Sequence, residues 1–179
     1  MKLDQNEIEI LKKLFLSDVK YKLNSTLSNQ ERSILENLRD KLFTSPVIEV
    51  FVDGASDLQN KIAGIGGVAY QHGQEVFRFA DYIGEATNNQ AEYQALIQGL
   101  NLLKDLNAKQ IKVFMDSELV VKQINGEYRV KHKRMKPLYK KSTDLLSIFD
   151  DWVIEAVPRE KNKIADILSK KGMARGIDS

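Results

Sequence analysis

Val50-Phe51-Val52-Asp53 and Val113-Phe114-Met115-Asp116 are the stretches on which the fold turns. Each is an apolar run closed by an aspartate, with a phenylalanine two residues before the acid. Residues two apart in a strand share a face, so each aspartate lies on the side of its phenylalanine. An ionised carboxylate at the end of a buried strand is costly unless something compensates it. Two such aspartates invite a cation.

Outward from the first stretch, Val47 to Asp53 alternates as a strand, and Gly54-Ala55-Ser56 begins a turn. Ala63 to Tyr70 and Glu75 to Ile83 read as two more strands around a turn at His72-Gly73, giving a three-strand meander. Thr87-Asn88-Asn89-Gln90 has the capping-box pattern and opens a helix that runs to about Leu106. Gln110 to Asp116 is the fourth strand, and Ser117 to Asn125 a short helix ended by Gly126. Met135 to Phe149 is a helix with Pro137 in its first turn, and Trp152 to Val157 is the last strand. Asn162 caps the last helix, which frays near Gly172. The order β-β-β-α-β-α-α-β-α predicts an α/β fold, a mixed five-stranded sheet flanked by helices, with the meander beside two parallel strands.

This topology gathers acids. In a meander the first and third strands are parallel, and a helical crossover then returns the fourth strand parallel to the first. Asp53 and Asp116 come to one rim, the carboxyl end where open α/β sheets usually bind ligands. Glu92 lies in the first turns of the crossover helix, on one stripe with Leu96, Gly99 and Leu103, and faces the sheet if they do. Asp166 opens the last helix, at the same rim if the last strand is also parallel. Singly, each acid has a plainer reading, as a turn initiator or a complement to a helix dipole. Together they would leave one rim with uncompensated like charge. The chain has no cysteine and only His72 and His132 as histidines, so a metal here takes oxygen ligands or one of those two histidines. That favours Mg²⁺ or Mn²⁺ over zinc.

At 179 residues, 42% hydrophobic and 29% charged, the chain has room for one globular domain and a small extension. Residues 1–46 read as that extension, a helical segment without a chemical motif, and 47–179 as the catalytic domain. One apolar stripe joins Ile8, Leu11, Leu14 and Phe15. Ser28-Asn29-Gln30-Glu31 starts a second helix carrying Ile34, Leu35, Leu38 and Leu42, and Thr44-Ser45-Pro46 breaks it. If the chain has a protein partner, 1–46 is the expected contact. The N-terminus lacks the apolar core of a signal peptide, and no stretch is apolar enough to span a membrane, so a cytoplasmic location without membrane contact is expected.

A net charge of +2 does not by itself point to nucleic acid. The run from Tyr128 to Lys141 says more, with Arg129, Lys131, Lys133, Arg134, Lys136, Lys140 and Lys141 and no acid. It is either a solvated face or a patch that tracks phosphates, with Lys133, Arg134 and Lys136 at its centre. His132 within it is a bystander.

From Ile48 to Ala174 the chain resembles a type 1 ribonuclease H of the bacterial and archaeal kind. The resemblance rests on Asp53-Gly-Ala-Ser with Ala63-Gly-Ile-Gly, on Thr87-Asn-Asn-Gln-Ala-Glu92-Tyr-Gln-Ala-Leu, on Asp116-Ser-Glu-Leu-Val-Val-Lys-Gln-Ile, and on Val157-Pro-Arg-Glu-Lys-Asn-Lys-Ile-Ala-Asp166. It implies an endonuclease acting on the RNA strand of an RNA–DNA hybrid, with Asp53, Glu92, Asp116 and Asp166 holding two Mg²⁺ or Mn²⁺ ions. One ion would activate a water and the other stabilise the leaving 3′ oxygen, giving 5′-phosphate and 3′-hydroxyl ends. It also implies that Glu92 and the backbone near Gly54 and Ser56 lie beside the 2′-hydroxyl, the group that separates RNA from DNA. Thr87, Asn88 and Asn89 would contact the DNA strand, and Ser117 would stand in the substrate groove.

The sequence departs from the family at three places. Asp57-Leu-Gln-Asn-Lys61 stands where many members carry an Asn-Pro-Gly turn, and so loses a rigid element. Glu118 stands where some place Gln. The mobile catalytic histidine that some members carry before the last acid has no counterpart here; Arg159 stands nearest, and since Arg cannot shuttle protons its role is a phosphate contact or a rim salt bridge. The rival readings are a catalytically silent hybrid- or RNA-binding module and another nuclease of the same fold, since fold alone does not decide function.

Overall fold

A computed structural model describes residues 8–11, 13, 27–34 and 47–176. The chain divides into two units, Met1–Pro46 and Val47–Ser179.

In the first unit, residues 8–11, 13 and 29–34 are helical. The expected capping box forms: Ser28 N–H donates to Glu31 Oε2 at 2.9 Å, and Glu31 N–H donates to Ser28 Oγ at 3.4 Å. Leu14, Phe15, Leu35, Leu38, Leu42 and the break at Thr44-Ser45-Pro46 lie outside the described residues.

The second unit runs β1 (Val47–Asp57), β2 (Ile62–Gln71), β3 (Gln74–Gly84), α1 (Asn88–Asp105), β4 (Gln110–Met115), α2 (Glu118–Ile124), α3 (Met135–Leu146), β5 (Asp151–Ala156) and α4 (Lys163–Ala174), with a 3₁₀ turn at Arg159–Lys161. The sheet order is β3-β2-β1-β4-β5. β1 pairs antiparallel with β2, and β2 with β3, while β1–β4 and β4–β5 are parallel. The β2–β3 hairpin turns on His72 and Gly73, both at positive φ (52° and 73°), the twist that two-residue hairpins favour. In α1, Thr87 and Gln90 form the reciprocal cap, and the helix stops at Leu106. Val50 and Val52 of β1, Val113 and Met115 of β4, and Tyr93, Leu96, Leu100 and Leu103 of α1 are fully buried in one core. Inside it the Tyr93 hydroxyl donates to Gln123 Oε1 at 2.8 Å, tying α1 to α2.

Four local readings need correction. β1 does not turn at Gly54; pairing with β2 carries it on to Asp57↔Ile62, although pairing with β4 ends at Phe51↔Phe114. The turn follows, and it is braced despite lacking Pro-Gly: Asp57 Oδ1 accepts from the N–H groups of Gln59 and Asn60, at 2.9 and 3.1 Å. α3 ends at Leu146 rather than Phe149, because Ile148 and Phe149 donate back three residues and tighten the chain.

The other two concern the last helix. The Asn162 side chain makes no cap hydrogen bond to α4. Nor is Gly172 a fraying point: a Cβ there would lie 2.5 Å from Asp81 O of β3, so this glycine lets the helix backbone press on the strand. Gly66 of β2 serves the same contact, since its Cβ would meet Ser169 N at 2.2 Å.

Candidate active site

β1 and β4 part company at the rim, and the candidate acids gather there. Asp53 lies on β1 two residues beyond the last β1–β4 pair, and Asp116 directly follows β4. Phe51 and Phe114 stack at 4.7 Å between ring centroids, holding the two strand ends in register. Asp53 is 7% exposed, and its carboxyl interacts with that of Asp116. Burial pushes Asp53 up to about 7; a hydrogen bond from Ser169 opposes this, and the charges of Asp116 and Asp166 reinforce it.

Glu92 enters from α1 as its fifth residue and is buried. Gly54 makes this possible, because a Cβ there would lie 2.3 Å from the Glu92 backbone nitrogen. Glu92 accepts from Asn88 Nδ2 at 2.8 Å and from the Ser117 hydroxyl. Burial raises its pKa, with these two bonds opposing and the Asp116 charge adding to the rise. Ser117, at the position before α2, gives its hydroxyl to Glu92 and makes no side-chain cap of its own.

Asp166 stands in the first turn of α4 and pairs with Arg159 and, at 2.7 Å, with Lys170. Burial pushes its pKa upward, but the hydrogen bonds and charges of these two cations outweigh it, and the net shift is down. Arg159 thus makes the rim salt bridge that was one of its two expected roles.

The acids therefore sit as a linked series: Asp53 feels Asp116 and Asp166, and Glu92 feels Asp116. Among the described residues no group of three or more His, Asp or Glu side chains is arranged to hold a metal ion. Glu92 and Asp166 are held by Ser117 and by Arg159 with Lys170 instead. The donors nevertheless suit a hard divalent cation: all are oxygens, and a cation would offset the burial and the neighbouring acid charges that oppose ionisation of Asp53.

Of the other expected contacts, Gly54 and Ser56 lie on β1 past the β4 pairing, with Gly54 against the start of α1. Thr87 caps α1, and Asn88 and Asn89 are exposed in its first turn. Lys133, Arg134 and Lys136 are exposed at the entry to α3, where Lys136 joins Tyr128, Arg129 and Tyr139 in lining a groove. The roles of two residues escaped the sequence reading. Ser169 donates to Asp53, and Asn162 donates to Asp116 Oδ1 at 3.2 Å and to Val52 O at 3.1 Å. Ser169 did leave a signal, being the polar member of the buried stripe Ala165, Leu168, Ser169 and Gly172.

A mixed sheet in this order, with acids at the divergence of its two central strands, defines a ribonuclease H-like domain. Residues 51–172 match the reverse transcriptase-like family. Ribonuclease H1 from Halobacterium salinarum is 37% identical, with TM-score 0.69, and the match covers 72% of this chain and 98% of that one. LC11-RNase H1, solved in complex with an RNA/DNA hybrid, is 34% identical with TM-score 0.68, over 73% of this chain and 99% of that one. The bifunctional protein Rv2228c of Mycobacterium tuberculosis is 38% identical over 128 residues, 70% of this chain but only 35% of the relative. The chain thus spans about a third of the length of that relative. It belongs to the ribonuclease H1 family, within the reverse transcriptase-like domains.

Proposed function

We propose that the chain is an endoribonuclease that hydrolyses the RNA strand of RNA–DNA hybrids with two Mg²⁺ or Mn²⁺ ions, leaving 5′-phosphate and 3′-hydroxyl ends. The observation that carries this reading is the gathering of buried Asp53 and Glu92 with Asp116 and Asp166 where β1 and β4 diverge. Membership of a family with a hybrid-bound solved relative supports the substrate class.

Asp53, Glu92, Asp116 and Asp166 would hold the cations. When bound, divalent cations would supply Lewis acidity at the scissile phosphate and lower the pKa of water. The protein's part is to place negative charge and to orient the hybrid. Asp53 and Asp116, fixed by strand pairing and by the stacked phenylalanines, set the centre. Glu92 would leave Ser117, and Asp166 would leave Lys170, to join them. Each exchange replaces one partner of a carboxylate by another, so neither acid is stripped bare. Arg159 would meet a phosphate if it, too, left Asp166. The N–H groups at the start of α1, beside Thr87, Asn88 and Asn89, would receive a phosphate of the DNA strand. Gly54 and Ser56 would border the 2′-hydroxyl with Glu92.

The test is cleavage of a uniform RNA–DNA hybrid with Mg²⁺ or Mn²⁺, with single-stranded RNA and duplex DNA as controls. Hybrid-only cutting, abolished in Asp53→Asn with hybrid binding kept, is expected. Cutting of duplex DNA would point to a different nuclease, and tight hybrid binding without cleavage in either metal would sink the enzymatic reading.

A further inference from the structure

Asn162 is 1% exposed, polar, and set between β1 and Asp116. Its amide orientation is fixed by chemistry. Nδ2 faces Val52 O and Asp116 Oδ1, both acceptors, so a flipped amide would set oxygen against oxygen at each. Val52 O belongs to the residue just past the last β1–β4 pair, where β4 no longer runs alongside β1. Asn162 therefore bridges the strands at the point where the backbone ladder ceases. Its own Oδ1 is buried and accepts no hydrogen bond from any described residue. An orphaned buried carbonyl is unfavourable, so packing alone does not account for an asparagine here.

Ser169 completes the arrangement two helical turns on. It is fully buried, and its hydroxyl contacts both Asp53 Oδ2 and, at 2.9 Å, Asp166 O. Its place is fixed because Gly66 lets the helix backbone meet β2. One short segment, Asn162 to Ser169, thus holds Asp116 with one side chain and Asp53 with another.

We infer that Asn162 and Ser169 are positioning residues that set the relative placement of Asp116 and Asp53, so that the pair accepts a divalent cation with little rearrangement. The inference rests on the reading of these acids as cation ligands. Neither side chain would touch the substrate. Asn162 orients one acid and anchors β1, and Ser169 holds Oδ2 of the other. Groups that hold ligands in place in this way typically change metal affinity by about tenfold or more when removed.

The experiment uses the full chain with Asn162→Leu, which keeps the volume without the amide, and Ser169→Ala, which removes only the hydroxyl. Calorimetric titration of the metal-free proteins with Mn²⁺ is the first readout. The metal concentration for half-maximal hybrid cleavage and the KM for hybrid are the second. Each variant should bind Mn²⁺ about tenfold or more weakly and need correspondingly more metal, with KM for hybrid at saturating metal unchanged. A merely structural residue would shift melting temperature without moving the half-saturating metal concentration. Should Asn162→Leu fail to fold, Ser169→Ala alone decides. Metal affinity equal to wild type in a folded variant overturns the positioning role and leaves the proposed function standing. A wild-type chain that binds no Mn²⁺ and cuts no hybrid overturns both.

Discussion

The Ser169 hydroxyl, on the last helix, donates to the Asp53 carboxylate, on the first strand, across 116 positions of sequence. That bond lowers the pKa of Asp53, while burial first, and then Asp116 and Asp166, raise it to about 7. The result is a pH signature in the metal-free protein.

Unfolded, the Asp53 carboxyl loses its proton near its ordinary value of 3.8; folded, it keeps the proton to about 7. The folded state binds more protons between these values, so stability falls as pH rises through that window. The contribution is full below about pH 4 and gone above about pH 7. Its size is on the order of a few kcal/mol. Denaturant unfolding in EDTA from pH 4 to pH 8 should show this decline in wild type and a flatter curve in Asp53→Asn. Parallel curves for the two proteins would show that Asp53 ionises without cost.

How much of this was legible follows from which interactions are local. Strand periodicity, the Thr87 capping box and the meander–crossover order were readable, because alternation and capping act within a few residues. The acids were readable because Asp53 and Asp116 end apolar runs of sequence and Glu92 and Asp166 lie in the early turns of helices. The strand continuation through Gly54 to Asp57 was not, since it depends on β2 pairing when β4 no longer does. Asn162 looked like a helix cap because its residue type and place fit one, yet its partners lie on β1 and just beyond β4. Glu92 and Asp166 were placed at the right rim, but their ties to Ser117 and to Arg159 with Lys170 could come only from three dimensions.

Two glycines separate crowding from backbone strain. Gly66→Ala would place a methyl 2.2 Å from Ser169 N, a contact neither backbone can yield without moving α4 off β2. Gly73 has open space around it, and its only demand is a φ of +73°. We expect Gly66→Ala to cost about 3 kcal/mol or more and Gly73→Ala about 1 kcal/mol. Urea midpoints at constant slope would measure both. Equal costs would mean that the α4–β2 contact relaxes freely.

A chain beginning at Val47 should retain hybrid cleavage. All four acids, and every hydrogen-bond partner named for them, lie within Val47–Ser179, which forms a unit with its own core. The check is turnover of the shortened protein at saturating metal, beside circular dichroism and a thermal melt. A folded but inert product would place residues 1–46 in the active site.

Lys133, Arg134 and Lys136 should contribute affinity and not turnover. They stand exposed at the entry to α3, and among them only Lys136 lines the groove with Tyr128, Arg129 and Tyr139. None makes an ion pair among the described residues, whereas Lys140 farther along is paired with Asp144 at 2.6 Å. Free cations beside a groove release counterions when phosphate replaces solvent, and each lost contact should reduce the salt slope of log K by about one. Replacing all three with Ala is therefore expected to lower that slope by about two to three and raise KM for hybrid at moderate salt. The acids are unchanged in this variant, so kcat should stay within about twofold, well under 1 kcal/mol of barrier. Hybrid binding measured from low to moderate salt gives the slope directly. A slope equal to wild type would assign the run to solvent, and a large fall in kcat with KM unchanged would move it into the chemistry.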